Sequence, residues 1–188
     1  MANVATNVSA GKPKSTGGIW RAPAGTTLPT DATTALGNDF VCLGYVSEDG
    51  VTNTIERTTE KKKAWGGNPV MSTQTEFSDQ FKFTLIEALN EEVQKAVFGD
   101  DNVIGTLAAG QTVKVNADEV EACVWVIETI LTGNYIRRIV IPNGKGTSSG
   151  DISYTDSDAI GYEVTVECLP DATTQTHYEY TKAPSQSA

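Results

Sequence analysis

Few residues in this chain are arranged to do chemistry. Asp156, Asp158, Gly161 and Glu167 stand at positions 1, 3, 6 and 12 of a calcium-binding loop, where carboxylates and a turn glycine wrap a hard cation. Position 5 is Ile160, which offers no side-chain oxygen, and position 8 is Glu163 where an apolar residue belongs. The segment after Gly161 alternates like a strand, so 156–167 reads as a polar turn entering a strand rather than a metal site. GKGTSSG (144–150) lacks the order of a phosphate loop, misses GxGxxG by one residue and has no helix following it. It reads as a flexible hairpin loop. His177 is the one histidine. It sits in a polar stretch with no GxSxG elbow and no nearby cysteine, which makes it a surface or interface histidine rather than a general base. Carboxylates are plentiful, yet none are singled out as a catalytic pair.

Cys42, Cys123 and Cys168 are odd in number and form no CxxC pair. They read as small buried apolar residues in a reducing compartment. Lys61-Lys62-Lys63 is the only basic run, and it follows Glu60. On a chain with formal charge −10 it suits a solvated face or an acidic neighbouring subunit better than nucleic acid. Asn7-Val8-Ser9 is a glycosylation sequon without a secretion signal beside it. No catalytic residue, metal or cofactor is expected, and the chain does not read as an enzyme.

The elements follow from periodicity. The 188 residues are 39% apolar and 20% charged, enough for one domain with a core. No run approaches the roughly 20 apolar residues that span a bilayer, and no membrane anchoring is expected. Residues 1–18 read as an N-terminal arm, 19–169 as a β domain carrying a long loop at 48–69, and 170–188 as a polar C-terminal tail. Phe40–Val46 and Ile152–Thr155 read as strands. In 70–85, Phe77, Phe81, Phe83 and Leu85 share one parity against Glu76, Ser78, Gln80 and Lys82. Leu85, Leu89, Val93 and Val97 then recur at helical spacing. A Thr84/Glu87 capping box and Gly99 bound a helix at about 85–98. Val120–Leu131 is apolar on both parities along its middle, as in a strand covered on both faces. Tyr135–Ile141 follows as a hairpin partner, 142–151 as a loop, and Ile160–Leu169 as a half-buried strand. The sum is a mainly β fold, a β-sandwich or small barrel, with one flanking α-helix.

Residues 48–69 (EDGVTNTIERTTEKKKAWGGNP) are polar and turn-rich, yet carry Ile55 and Trp65. A loop of this length is either mobile surface or a functional segment. A strand–loop–strand excursion also fits. Trp65 is costly to leave in water, which favours a segment that orders against another subunit.

The order of features along almost the whole chain resembles the major tail proteins, or tail tube proteins, of long-tailed non-contractile bacteriophages. It lies in GKPK…GGIWRAPAGTTLPTDATTAL, LGYVSEDGVTN, KAWGG, QTEFSDQFKFTLIEALNEEVQKAVFGDDNV, RRIVIPNGK, DAIGYEVTVECLPD and the closing HYEY. The resemblance implies a phage tail tube-like fold and a structural virion protein that assembles in the bacterial host cytoplasm. Copies would close into hexameric rings and stack into a hollow tail, with a tape measure protein, a tail tip and a tail terminator as partners. Double-stranded DNA would pass through the lumen without specific binding, and six copies at −10 would bring −60 to each ring. An anionic wall repels phosphates. Glu163, Glu167 and Glu76, each on the polar parity of a strand, are the expected lumen-lining acids. Ile55, Lys61, Lys62, Lys63 and Trp65 are the expected inter-ring residues. The alternative is a virion decoration or adhesion module of similar β architecture; a carboxylate-based hydrolase is a third reading.

Overall fold

A computed structural model describes residues 3–148 and 150–184. The tips of the expected arm and tail, and residue 149 of the expected 142–151 loop, lie outside the described residues. Among the described residues there are eleven strands: β1 (Gly11–Pro13), β2 (Ile19–Pro23), β3 (Val41–Cys42), β4 (Val46–Lys63), β5 (Pro69–Leu85), β6 (Val103–Thr106), β7 (Gly110–Val113), β8 (Cys123–Leu131), β9 (Tyr135–Ser148), β10 (Tyr162–Cys168) and β11 (Tyr178–Lys182). One helix, α1 (Glu91–Phe98), interrupts them. The main sheet runs β3-β2-β8-β9-β10-β5-β4, with β1 beside β8 and β11 beside β9, while β6 and β7 form a separate ribbon. The fold is mainly β with one helix, as the alternation implies, and the sheet stays open rather than closing into a barrel.

In β8, which lies between β2 and β9, Cys123 to Ile127 are all buried. Cys123, Trp125 and Ile127 pack with Phe81, Phe83, Leu85, Val164, Val166 and the α1 residues Val93, Ala96 and Val97. Val124 and Val126 face the other way, onto Ala22, Phe40 and Val140, with Leu28, Leu36, Tyr178 and Tyr180 closing that layer. Period-two packing on both sides is what a run apolar on both parities requires. Glu128, the charge within that run, is 2% exposed. Arg138 binds one of its oxygens through Nη2 at 2.5 Å and Nε at 3.0 Å, and Lys14 binds the other at 3.0 Å. Arg138 also donates to the Asp31 carbonyl at 2.9 Å. One buried ion pair thereby fastens the N-terminal segment and the 24–40 loop to the middle of the sheet.

Several sequence expectations are corrected. The helix begins at Glu91 with Asn90 as its cap, whose side chain accepts from the Glu92 amide at 3.0 Å. Leu85 satisfies both periods, and β5 claims it by pairing with Tyr162. Glu87 is not a capping-box residue; it accepts from the Tyr45 amide at 2.9 Å and from Asn90 at 3.0 Å. Residues 152–155 are not a strand, and of Phe40–Val46 only Val41–Cys42 and the first residue of β4 are extended partners. The 170–188 tail contains β11, which pairs with residues 136–140 of β9, and β1 lies within the expected arm.

Residues 142–148 belong to β9 instead of a loop, and their glycines explain why. A Cβ on Gly144 would lie 2.6 Å from the Trp125 ring and 2.7 Å from Val166, and one on Gly146 would lie 2.9 Å from the same ring. The indole lies flat over this stretch and donates to the Gly144 carbonyl at 3.0 Å. The glycines serve core packing, not a phosphate.

The segment 48–69 is not a loop but belongs to a β-hairpin, the strand–loop–strand alternative. β4 and β5 pair continuously from Val51↔Phe83 to Lys63↔Pro69, with a bulge between Thr58 and Thr59. The base is locked by Asp79, whose side chain is fully buried. Asn53 donates to its Oδ1 at 2.9 Å, while Thr176 Oγ1 at 2.6 Å and His177 Nδ1 at 2.5 Å share its Oδ2. His177 stands edge-on to Phe81 at 5.2 Å. Burial works to raise the Asp79 pKa, but the hydrogen bonds from Thr176, His177 and Asn53 and the histidine charge outweigh it and hold the carboxyl below its usual range.

Two outcomes follow. Gly144→Ala overpacks Trp125 and lowers the unfolding free energy by about 1–3 kcal/mol in urea titration. Asp79→Ala leaves three polar partners facing an empty site and costs about 3 kcal/mol. Because the folded Asp79 pKa is depressed, its stabilisation is complete above the unfolded carboxyl value of about 3.9 and is lost as pH falls through the folded value. The stability gap between wild type and Asp79→Asn therefore narrows as pH falls from about 5 through the unfolded carboxyl value toward the lower folded one.

Candidate assembly surface

Beyond Asp79 the hairpin leaves the body. Its outer part, Glu56–Lys63 paired with 69–78, has no third strand beside it. Eight extended residues reach about 26 Å. The tip is a tight turn: Ala64 N–H donates to Asn68 at 2.8 Å and Gly67 N–H to Ala64 at 2.9 Å. Gly66 and Gly67 both take positive φ, 106° and 91°, which side chains with a Cβ rarely adopt. We refer to this outer ribbon as the arm.

Apart from half-buried Ser78, the arm is exposed along its length. Trp65 at its tip is 107% exposed, Val70 66% and Met71 54%. Ile55 near the base and Phe77 are half-open, and the Arg57 guanidinium covers the Phe77 ring at 4.8 Å. Each apolar side chain of this size contributes roughly 1.5–3 kcal/mol once it is fully buried. A ribbon of two strands is too thin to bury them, so this apolar area stays open to water.

Cross-strand register fixes which side chains share a face. Ile55, Arg57, Thr59, Lys61 and Lys63 lie on the face that continues from Phe81 and Phe83, with Phe77 opposite Arg57. Glu56, Thr58, Glu60 and Lys62 lie on the other, opposite Ser78, Glu76, Thr73 and Met71. The expected inter-ring residues are therefore brought together on one arm but not on one face, since Lys62 points away from Lys61 and Lys63. Arg57, Phe77, Val70 and Met71 belong to the same arm, though not to one face of it, and were missed. Their signal was the period-two pattern of 55–63, visible once that segment is taken as extended.

The expected lumen-lining acids divide similarly. Glu163 and Glu167 lie on the exposed face of β10, opposite Thr84 and Gln80 of β5, and Glu167 also opposes Lys145 of β9. Lys82 sits between them and holds Glu163 at 2.9 Å. Lys145 pairs with Glu119, whose pKa this bond lowers. The rest of this face is hydroxyl-rich, with Thr52, Thr84, Thr147 and Thr165. Glu76 stands apart, out on the arm.

Among the described residues no group of three or more His, Cys, Asp or Glu could hold a metal. His177 is committed to Asp79, and burial raises the pKa of the Cys123 and Cys168 thiols. No described helix is long and apolar enough to cross a membrane.

The sequence matches the family model described as phage tail tube protein over residues 4–187. Among solved structures the chain is similar to the tube-terminating cap of the anti-feeding prophage, determined by cryo-electron microscopy. The TM-score is 0.46 with 12% identity, covering 97% of this chain and 100% of that one. No match is found among curated protein sequences. With the family pattern running over nearly its full length, the chain belongs to the phage tail tube proteins, structural components of the viral tail.

Proposed function

We propose that this chain is the repeating wall subunit of a phage tail tube. Copies close into rings, six to a ring as the family resemblance implies, and the rings stack into a hollow tube in the host cytoplasm. Tape measure, tail tip and tail terminator proteins bound its length, and double-stranded DNA crosses the lumen during ejection. The observation that carries the reading is the arm. A ribbon about 26 Å long, tipped with a fully exposed Trp65, stands clear of the sheet and offers its side chains to a neighbouring copy. Lys61, Lys62, Lys63 and Ile55 travel with it. The arm holds four cations and three carboxylates, a net +1, against a net −11 over the rest of the chain. Opposite charge on arm and body favours association between copies.

The bore falls to the β10 face with Glu163 and Glu167. Its lysines are already neutralised, Lys82 by Glu163 and Lys145 by Glu119, so a phosphate finds hydroxyls and a carboxylate but no open cation. Such a wall releases no counterions on contact and lets DNA slide. Glu76 is assigned with the arm.

Two experiments test this. Glu56 and Ser78 are cross-strand partners, so residues 57–77 can be replaced by an Asn-Gly turn. The shortened protein should melt within a few degrees of wild type and form no tubes by electron microscopy; tubes would overturn the arm's role. Glu163→Lys with Glu167→Lys should leave tubes intact and lower infectivity by about tenfold or more. Unchanged infectivity would remove these residues from the bore.

A further inference from the structure

The arm has two faces of opposite sign. One presents Arg57, Lys61 and Lys63 around Ile55 and Phe77, and its only carboxylate, Asp79, is buried at the base. The other presents Glu56, Glu60 and Glu76 with Met71, and Lys62 is its single cation. A run of three lysines beside a glutamate conceals this in the linear sequence, because the strand sends alternate residues to opposite sides. Within the arm the two sets cannot meet: they are separated by the thickness of the ribbon. Among the described residues none of Glu56, Glu60, Glu76, Arg57, Lys61 or Lys63 has an ion-pair partner.

We propose that arms of neighbouring copies stack face to face, the basic face of one lying on the acidic face of the next. This rests on the tube reading and names the partner surface, a second copy of the same ribbon. The contact is heterologous, because it joins two different surfaces, so each copy can engage one neighbour on each side and the pattern continues around a ring or along a stack. The apolar residues fit the same arrangement. Ile55 and Phe77 on one face and Met71 on the other are covered together when the faces meet, and desolvation strengthens the charge pairs at the rim. A single-signed arm would repel its own copies. A two-signed arm attracts them only in one order, which sets direction as well as affinity.

The test uses the full chain with each face reversed separately. Arg57→Glu/Lys61→Glu/Lys63→Glu makes both faces acidic; Glu56→Lys/Glu60→Lys/Glu76→Lys makes both basic. All six positions lie outside the core, and thermal melting checks that each variant folds. By sedimentation, each variant alone should stay dissociated at concentrations where wild type assembles. An equimolar mixture should assemble again, because each supplies the sign the other lacks. Assembly of either variant alone, or a mixture that stays dissociated, overturns arm stacking. If the acidic reversal assembles as wild type does while the basic reversal fails, the basic face binds the acidic body instead. Where reversal disturbs the arm itself, Glu56→Gln/Glu60→Gln/Glu76→Gln gives the same reading as a rise of about tenfold in the concentration needed to assemble. Tubes that form with a face reversed overturn the stacking alone and leave the tube reading standing. A wild-type chain that never associates overturns both.

Discussion

A two-stranded ribbon cannot bury either of its own faces. Inside the body, β4 and β5 are held by β10 on one edge and by the core beneath Phe81 and Phe83. Past Asp79 both supports end, and the strands continue with only each other. Isolated hairpins are marginal in water, so the outer ribbon depends on its base. That explains why a fully buried carboxylate with three donors sits at the point of departure. It also explains why the two ends of the chain are stitched into the sheet: β1 and β11 fill edge positions beside β8 and β9. A body that must carry a cantilever has to be stiff where the load enters.

Much of this fold was legible as parity. The alternation of 162–168 and of 77–85, and the doubly apolar 123–127, each gave the correct face, because a pleated strand has a period no other element shares. The errors have physical causes. Polar residues at 48–63 and 142–148 looked like loops, since strand character there comes from pairing and from neighbouring ring size rather than from apolar side chains. The helix start was misplaced at a residue where two periods coincide. The tail read only as polar, without a strand, because β11 is short and is paired only with β9.

The surface proposed for assembly was legible in part. Trp65 was identifiable as a side chain unsuited to water, and the lysine run as a charge complement for an acidic chain. The separation of Lys62 from Lys61 and Lys63, and the inclusion of Arg57, Phe77 and Met71, needed the register. The Asp79 lock was out of reach altogether: its partners lie 26, 97 and 98 residues away, and no local pattern connects them.

That separation has a consequence for biosynthesis. The ribbon leaves the ribosome early, while Thr176 and His177 are made 97 and 98 residues after Asp79. At roughly 5–20 residues per second that interval is on the order of 5–20 s. During translation the protruding segment therefore lacks its final fastening, and copies born on the same message cannot present it in finished form until each is nearly complete. Timing of this kind separates maturation of the individual molecule from its polymerisation.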